Sequence, residues 1–179
     1  MEKIKPSDLS LNFSTTLFFD TNIWLFLFGS IANYKEERQK QYSRLFDDAV
    51  QKRCSIYISS IVLSEFANVI MRREFNKWKK EAENFDADYK KDFVGTETYK
   101  EKTELVKDQL NKILKLPNII KAPDSFNNIN VKNIFDNFGL ADFNDAYINE
   151  LVSLNNLILV TDDGDFEKIY GGKKLVSLS

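Results

Sequence analysis

The sequence predicts an α/β domain in which a parallel sheet is covered by helices, and three observations carry that prediction. Leu17-Phe18-Phe19 and Leu157-Ile158-Leu159-Val160 are short, wholly apolar runs with the length and composition of strands buried on both faces. Between them, apolar residues recur at helical spacing and alternate with further β-rich segments, the pattern of parallel strands joined by helical crossovers. Both apolar runs give way at once to polar residues, Asp20-Thr21-Asn22 and Thr161-Asp162-Asp163. Carboxylates therefore fall at the carboxyl ends of strands, where open α/β sheets bind ligands.

The chain has 179 residues, 43% of them hydrophobic, enough for one domain with a proper core. With 25 Lys+Arg against 27 Asp+Glu the net charge is -2, so no global basic field marks a nucleic-acid binder, and any such contact must rest on local patches. Cys54 has no second cysteine to pair with, and Met1 to Pro6 lacks the apolar core of a signal peptide. Leu17 to Phe28 is the most apolar run, but Asp20 and Asn22 interrupt it and it is too short to span a bilayer. The expectation is a soluble, cytoplasmic protein.

The chain contains no histidine, which excludes Ser-His-Asp and Cys-His catalysis and any His-containing zinc site. The lone cysteine excludes thiolate metal clusters, and neither glycine-rich phosphate loop motif is present. Carboxylates, hydroxyls, amides and basic side chains remain, an inventory suited to hard cations such as Mg²⁺ or Mn²⁺.

In chain order, Met1 to Thr15 shows little periodicity and reads as a loose lead-in. After the Leu17 strand, Asn22 to Phe28 reads as a short helix ending at Gly29, and Tyr34 to Lys52 as a longer one with Leu45, Phe46, Ala49 and Val50 on its apolar face. Cys54 to Ile58 alternates as a second strand. Ser59-Ser60 then caps a helix carrying Ile61, Val62, Phe66, Val69 and Ile70, with Glu65 near its start. From Arg72 to Leu116, Trp78, Ala82, Phe85, Tyr89 and Phe93 form one helical stripe, and Tyr99, Val106, Leu110 and Ile113 form a second beyond Gly95. Together these read as an antiparallel hairpin rich in interleaved basic and acidic residues. Asn118 to Lys121 is a short strand before a turn at Pro123-Asp124, Asn130 to Phe138 a helix closed by Gly139, and Lys174 to Leu178 the last strand. Asp142 to Leu154 opens a helix. Asp142 and Asp145 share one face if both are helical, whereas if Asp142 or Asn144 is the cap only Asp145 need face a site.

A lone Asp after a strand is an ordinary cap, and a lone Glu near a helix start is ordinary dipole complementarity. Here Asp20, Glu65, Asp145 and Asp163 converge, because parallel strands with right-handed crossovers place all four at one sheet edge. Clustered carboxylates repel one another and rise in pKa unless a cation joins them, so the convergence points to a metal site.

The strand ending in Asp20-Thr21-Asn22, the Ser64-Glu65 helix, the Asn144-Asp145-Ala146 helix start and the Val160-Thr161-Asp162-Asp163-Gly164-Asp165-Phe166 strand end resemble the PIN-domain nucleases, the VapC-type toxin ribonucleases in particular. The resemblance covers most of the chain apart from the Arg72 to Leu116 hairpin, which exceeds the corresponding helices of compact members. It implies a single PIN-like domain over 1–179, a three-layer α/β/α fold with a central parallel sheet and a helical hairpin inserted at about 72–116. It further implies a metal-binding catalytic quartet of Asp20, Glu65, Asp145 and Asp163, with Asp142 and Asp165 as auxiliaries and Asn22 and Thr161 as polar supports. The implied activity is Mg²⁺- or Mn²⁺-dependent endoribonuclease hydrolysis of RNA, with an antitoxin protein and a second copy of the chain as partners and no membrane association. A haloacid-dehalogenase-type phosphatase needs an Asp where this chain has Asn22. The alternative from another class is a catalytically idle PIN-like module that binds nucleic acid or protein.

Overall fold

The computed structural model describes residues 2–29, 36–123, 126–172 and 174–179. Its strands are β1 (Glu2–Ile4), β2 (Thr16–Phe19), β3 (Ser55–Ile58), β4 (Ile119–Lys121), β5 (Ile158–Val160) and β6 (Lys174–Val176). They form one wholly parallel sheet in the order β1-β6-β5-β2-β3-β4. Leu17, Phe18 and Phe19 are all fully buried, as expected of a central strand covered on both faces.

The helices are α1 (Thr21–Phe28), α2 (Glu36–Gln51), α3 (Ser60–Glu81), α4 (Glu97–Leu114), α5 (Val131–Phe138), α6 (Phe143–Leu154) and α7 (Phe166–Ile169). From β2 to β4 the connections step one way across the sheet, and from β4 to β5 and β6 they step back. Right-handed crossovers taken in opposite directions lay their helices on opposite faces, giving three layers, α/β/α. The strand order reverses between β2 and β5, where Phe18 pairs with Leu159 and the Asp20 amide continues the ladder to the Val160 carbonyl at 3.0 Å. That junction is the topological switch point, and Asp20 and Thr161 stand at its carboxyl edge.

Local chemistry fixes the element ends near this edge. α1 ends at Gly29, where a Cβ would lie 2.7 Å from the Leu25 carbonyl oxygen, so that position requires glycine. The Ser59 hydroxyl accepts from the Val62 amide and starts α3 immediately after β3. The Trp24 indole N–H donates to the Phe19 carbonyl at 3.0 Å and pins α1 against β2.

Two expectations are corrected. The N-terminal segment is not a loose lead-in: Glu2–Ile4 pairs with β6, and Leu9 and Leu11 are buried. A three-residue edge strand is held by its ladder, which leaves no periodicity to read. The stripe from Trp78 to Phe93 is not one helix either. α3 runs unbroken from Ser60 through Glu81, Glu83 turns the backbone at φ 51°, and Phe85 is exposed. Asp88 then caps a single wide turn over Tyr89–Phe93 before α4. Segment 72–116 thus starts inside α3 and completes the crossover from β3 to β4, with Phe75, Phe93, Val106 and Ile113 in the same buried cluster as the sheet. Tyr34, expected to open α2, and Asp124, expected in the turn after β4, lie outside the described residues.

Candidate active site

Asp20 is 4% exposed and caps α1, accepting from the Thr21 amide (2.6 Å), the Asn22 side-chain amide (2.6 Å) and the Thr161 hydroxyl (2.7 Å). Burial pushes its carboxyl up to about 7, against the hydrogen bonds from Thr161 and Thr21, which favour the charged form; the charges of Glu65 and Asp163 push with burial. Thr161 is fully buried, and its hydroxyl oxygen also accepts from Asn22 (3.0 Å) and from the Asp163 amide (3.0 Å). The Asn22 side-chain oxygen takes the Asp162 amide at 3.0 Å. Asn22 and Thr161 together tie the end of β2 to the end of β5.

Glu65, in the second turn of α3, accepts from the Thr21 hydroxyl (2.5 Å) and the Asn144 side-chain amide (2.6 Å). The sequence gives neither donor a role toward Glu65, since both meet it only through the fold. Asp142 is the cap of α6 and accepts the Asp145 amide at 2.9 Å, which leaves Asp145 in the first turn. Burial raises the Asp145 carboxyl to about 8, helped by the charges of Asp142, Asp20, Asp163 and Glu65. Asp142, Asp20, Asp163 and Glu65 thus lie near enough for their charges to bear on Asp145.

Asp163 accepts the Asp165 amide at 2.9 Å. The Asp165 carboxylate itself turns outward to Lys168 (2.7 Å). Asp162 faces the opposite way from Asp163: its carboxylate is buried against the Arg38 guanidinium (2.8 and 2.9 Å) and the Tyr42 hydroxyl (3.1 Å). Among the described residues no three acidic or cysteine side chains close on one point as a ready-made metal cage.

The family model of the PIN domain matches residues 17–172. This chain belongs to the PIN-domain family. The structure of VapBC2 from Rickettsia felis, bound to a DNA fragment from its promoter, is similar to this PIN domain with a TM-score of 0.57 and 16% identity, covering 92% of this chain and 100% of that one. PAE2754 from Pyrobaculum aerophilum is similar at a TM-score of 0.47 and 15% identity, over 97% of this chain and 93% of that one. Among curated proteins, none matches the sequence.

The donor set of this PIN domain suits a hard cation. Its charged donors are carboxylate oxygens, two of them raised in pKa by burial and mutual repulsion, which a divalent ion would relieve.

Proposed function

We propose that this PIN domain, acting as one unit over 1–179 with the 72–116 arms as an elaboration, is a metal-dependent endoribonuclease. The observation that carries the reading is the convergence of Asp20, Glu65, Asp145 and Asp163 at the switch-point edge, with Asp20 and Asp145 raised to about 7 and 8. These four residues would hold Mg²⁺ or Mn²⁺, which when bound supplies an activated water and neutralises charge developing on the phosphate. Thr161 and Asn22 orient Asp20, and Thr21 and Asn144 fix Glu65, so the carboxylates are aimed before substrate arrives. RNA as substrate rests on the resemblance to toxin ribonucleases. An antitoxin partner rests on the fold shared with VapBC2, and a homodimer on the resemblance alone. Among the described residues no helix is long and apolar enough to cross a membrane.

The idle binding module is the second reading, favoured by the lack of a closed three-acid cage among the described residues. Cleavage of mixed RNA and DNA with Mg²⁺ or Mn²⁺, with and without a chelator, separates the two. The native chain should cut RNA only with metal. Asp20→Asn should abolish cleavage while leaving the apo protein as stable or more so, because a repelling charge is removed at nearly constant volume. Chelator-resistant cleavage or a fully active Asp20→Asn protein would overturn the metal quartet. Metal stabilisation without any cleavage would favour the binding module.

A further inference from the structure

Several basic residues of segment 72–116 are engaged close by. Lys77 pairs with Glu74 (2.8 Å), Lys100 with Glu97 (2.6 Å), Lys102 with Glu101 (3.2 Å) and Lys107 with Glu104 (2.6 Å), and the Lys79 ammonium lies 4.9 Å over the Phe75 ring. Arg72 differs. It is exposed and, among the described residues, pairs with no carboxylate; its guanidinium sits 4.2 Å over the Tyr89 ring. That ring is held by Phe75 (5.3 Å) and Phe93 (5.7 Å), so the guanidinium is positioned without its N–H donors being used on the protein.

Arg72 follows Glu65 by seven residues on α3, so the two lie on one helical line with exposed Asn68 and Val69 between them. The separation along the axis is about 10 Å. The solvent face of α3 therefore leads from the carboxylates to a stacked arginine that, among the described residues, pairs with no carboxylate. Resting on the nuclease reading, we propose that Arg72 is a phosphate-binding subsite for a single-stranded nucleic acid that runs along α3 from the Glu65 end of the cleft. The planar guanidinium fork matches a phosphodiester, and stacking on Tyr89 reduces the freedom lost on binding. A single strand fits better than a duplex because Asp20 is buried, and only a chain that bends can bring a phosphate to it.

The test compares steady-state cleavage by the full chain, native and Arg72→Gln, of a dinucleotide and of an RNA strand of about ten nucleotides. Arg72→Gln should raise KM for the long strand about five- to tenfold with kcat unchanged, and leave the dinucleotide kinetics as they are. Arg72→Lys should fall between. The slope of log affinity against log salt for the long strand should shrink by about 0.7, one phosphate contact. A deoxyribose strand of the same length should lose inhibitory strength equally, since the contact is to phosphate. Unchanged KM on the long strand, or an equal loss on the dinucleotide, overturns the subsite while leaving the nuclease reading intact. Failure of the native chain to cut either strand with either metal overturns both.

Discussion

The Thr161 hydroxyl donates to the Asp20 carboxylate at 2.7 Å across 141 positions of sequence. It is the point at which β2 and β5, the strands on either side of the switch point, are joined by side chains rather than backbone. One oxygen serves three partners there, donating to Asp20 and accepting from Asn22 and the Asp163 amide. Thr161→Val keeps the shape and removes all three interactions inside a fully buried position. The expected loss is about 1–3 kcal/mol of stability in denaturant melts. The Asp20 carboxyl should rise further, since the Thr161 bond holds it down, and Mn²⁺ affinity at neutral pH should weaken. Thr161→Ser should retain both properties. A stable Thr161→Val protein with native metal affinity would show that the hydroxyl does not organise the site.

The raised carboxyls also set a pH dependence for the metal-free protein. Asp20 and Asp145 titrate at about 7 and 8 in the folded chain, against about 3.9 when unfolded. Between those limits the folded state binds more protons than the unfolded state, so stability falls as pH rises. The contribution is fully present below about pH 4 and lost by about pH 8. Melts at stepped pH should show this decline without metal, and saturating Mn²⁺ should flatten it by binding the charged forms. Asp20→Asn should remove the part of the decline that runs from about pH 4 to about pH 7. Stability that climbs over the same range in the metal-free native chain would contradict the repulsion.

The site was legible in the sequence where a residue's role follows from its own element. Asp20 ends a run of buried apolar residues, and Ser59 precedes an apolar-periodic stretch, so strand end and helix cap are both local facts. Asp162 and Asp163 show where that stops. They are adjacent and chemically identical, yet the bend after β5 gives them different partners, with Asp162 buried on Arg38 and the Asp163 amide turned back to the Thr161 hydroxyl. Which one faces the cleft is decided by Arg38, 124 positions away, and by Tyr42, whose hydroxyl also donates to the Thr161 carbonyl at 2.9 Å. The contacts of Thr21 and Asn144 with Glu65 are hidden for the same reason: each joins two elements whose approach only the packed sheet defines. The β1 edge strand is invisible for a different one, since three ladder residues leave no pattern of burial to detect.

The aromatic cluster between α3 and α4 tests whether the long crossover belongs to the core. Phe93 is fully buried, with its ring 5.3 Å from Phe75, 5.4 Å from Trp78, 5.7 Å from Tyr89 and 5.5 Å from Tyr99. Four rings around one leave little room to collapse into the space that truncation would open, and cavity cost is greatest where neighbours cannot relax. Phe93→Ala should therefore cost about 3–5 kcal/mol. Phe85→Ala, at an exposed position on the bend before the cluster, should stay within about 0.5 kcal/mol of the native chain. Urea melts followed by tryptophan fluorescence report on both regions, because Trp24 lies against β2 and Trp78 within the cluster. A single transition shifted for both tryptophans means that the crossover and the sheet unfold together. A Phe93→Ala protein whose Trp78 signal melts early while Trp24 holds would mean that the arms open on their own, and shortening them to a turn would then leave a folded sheet.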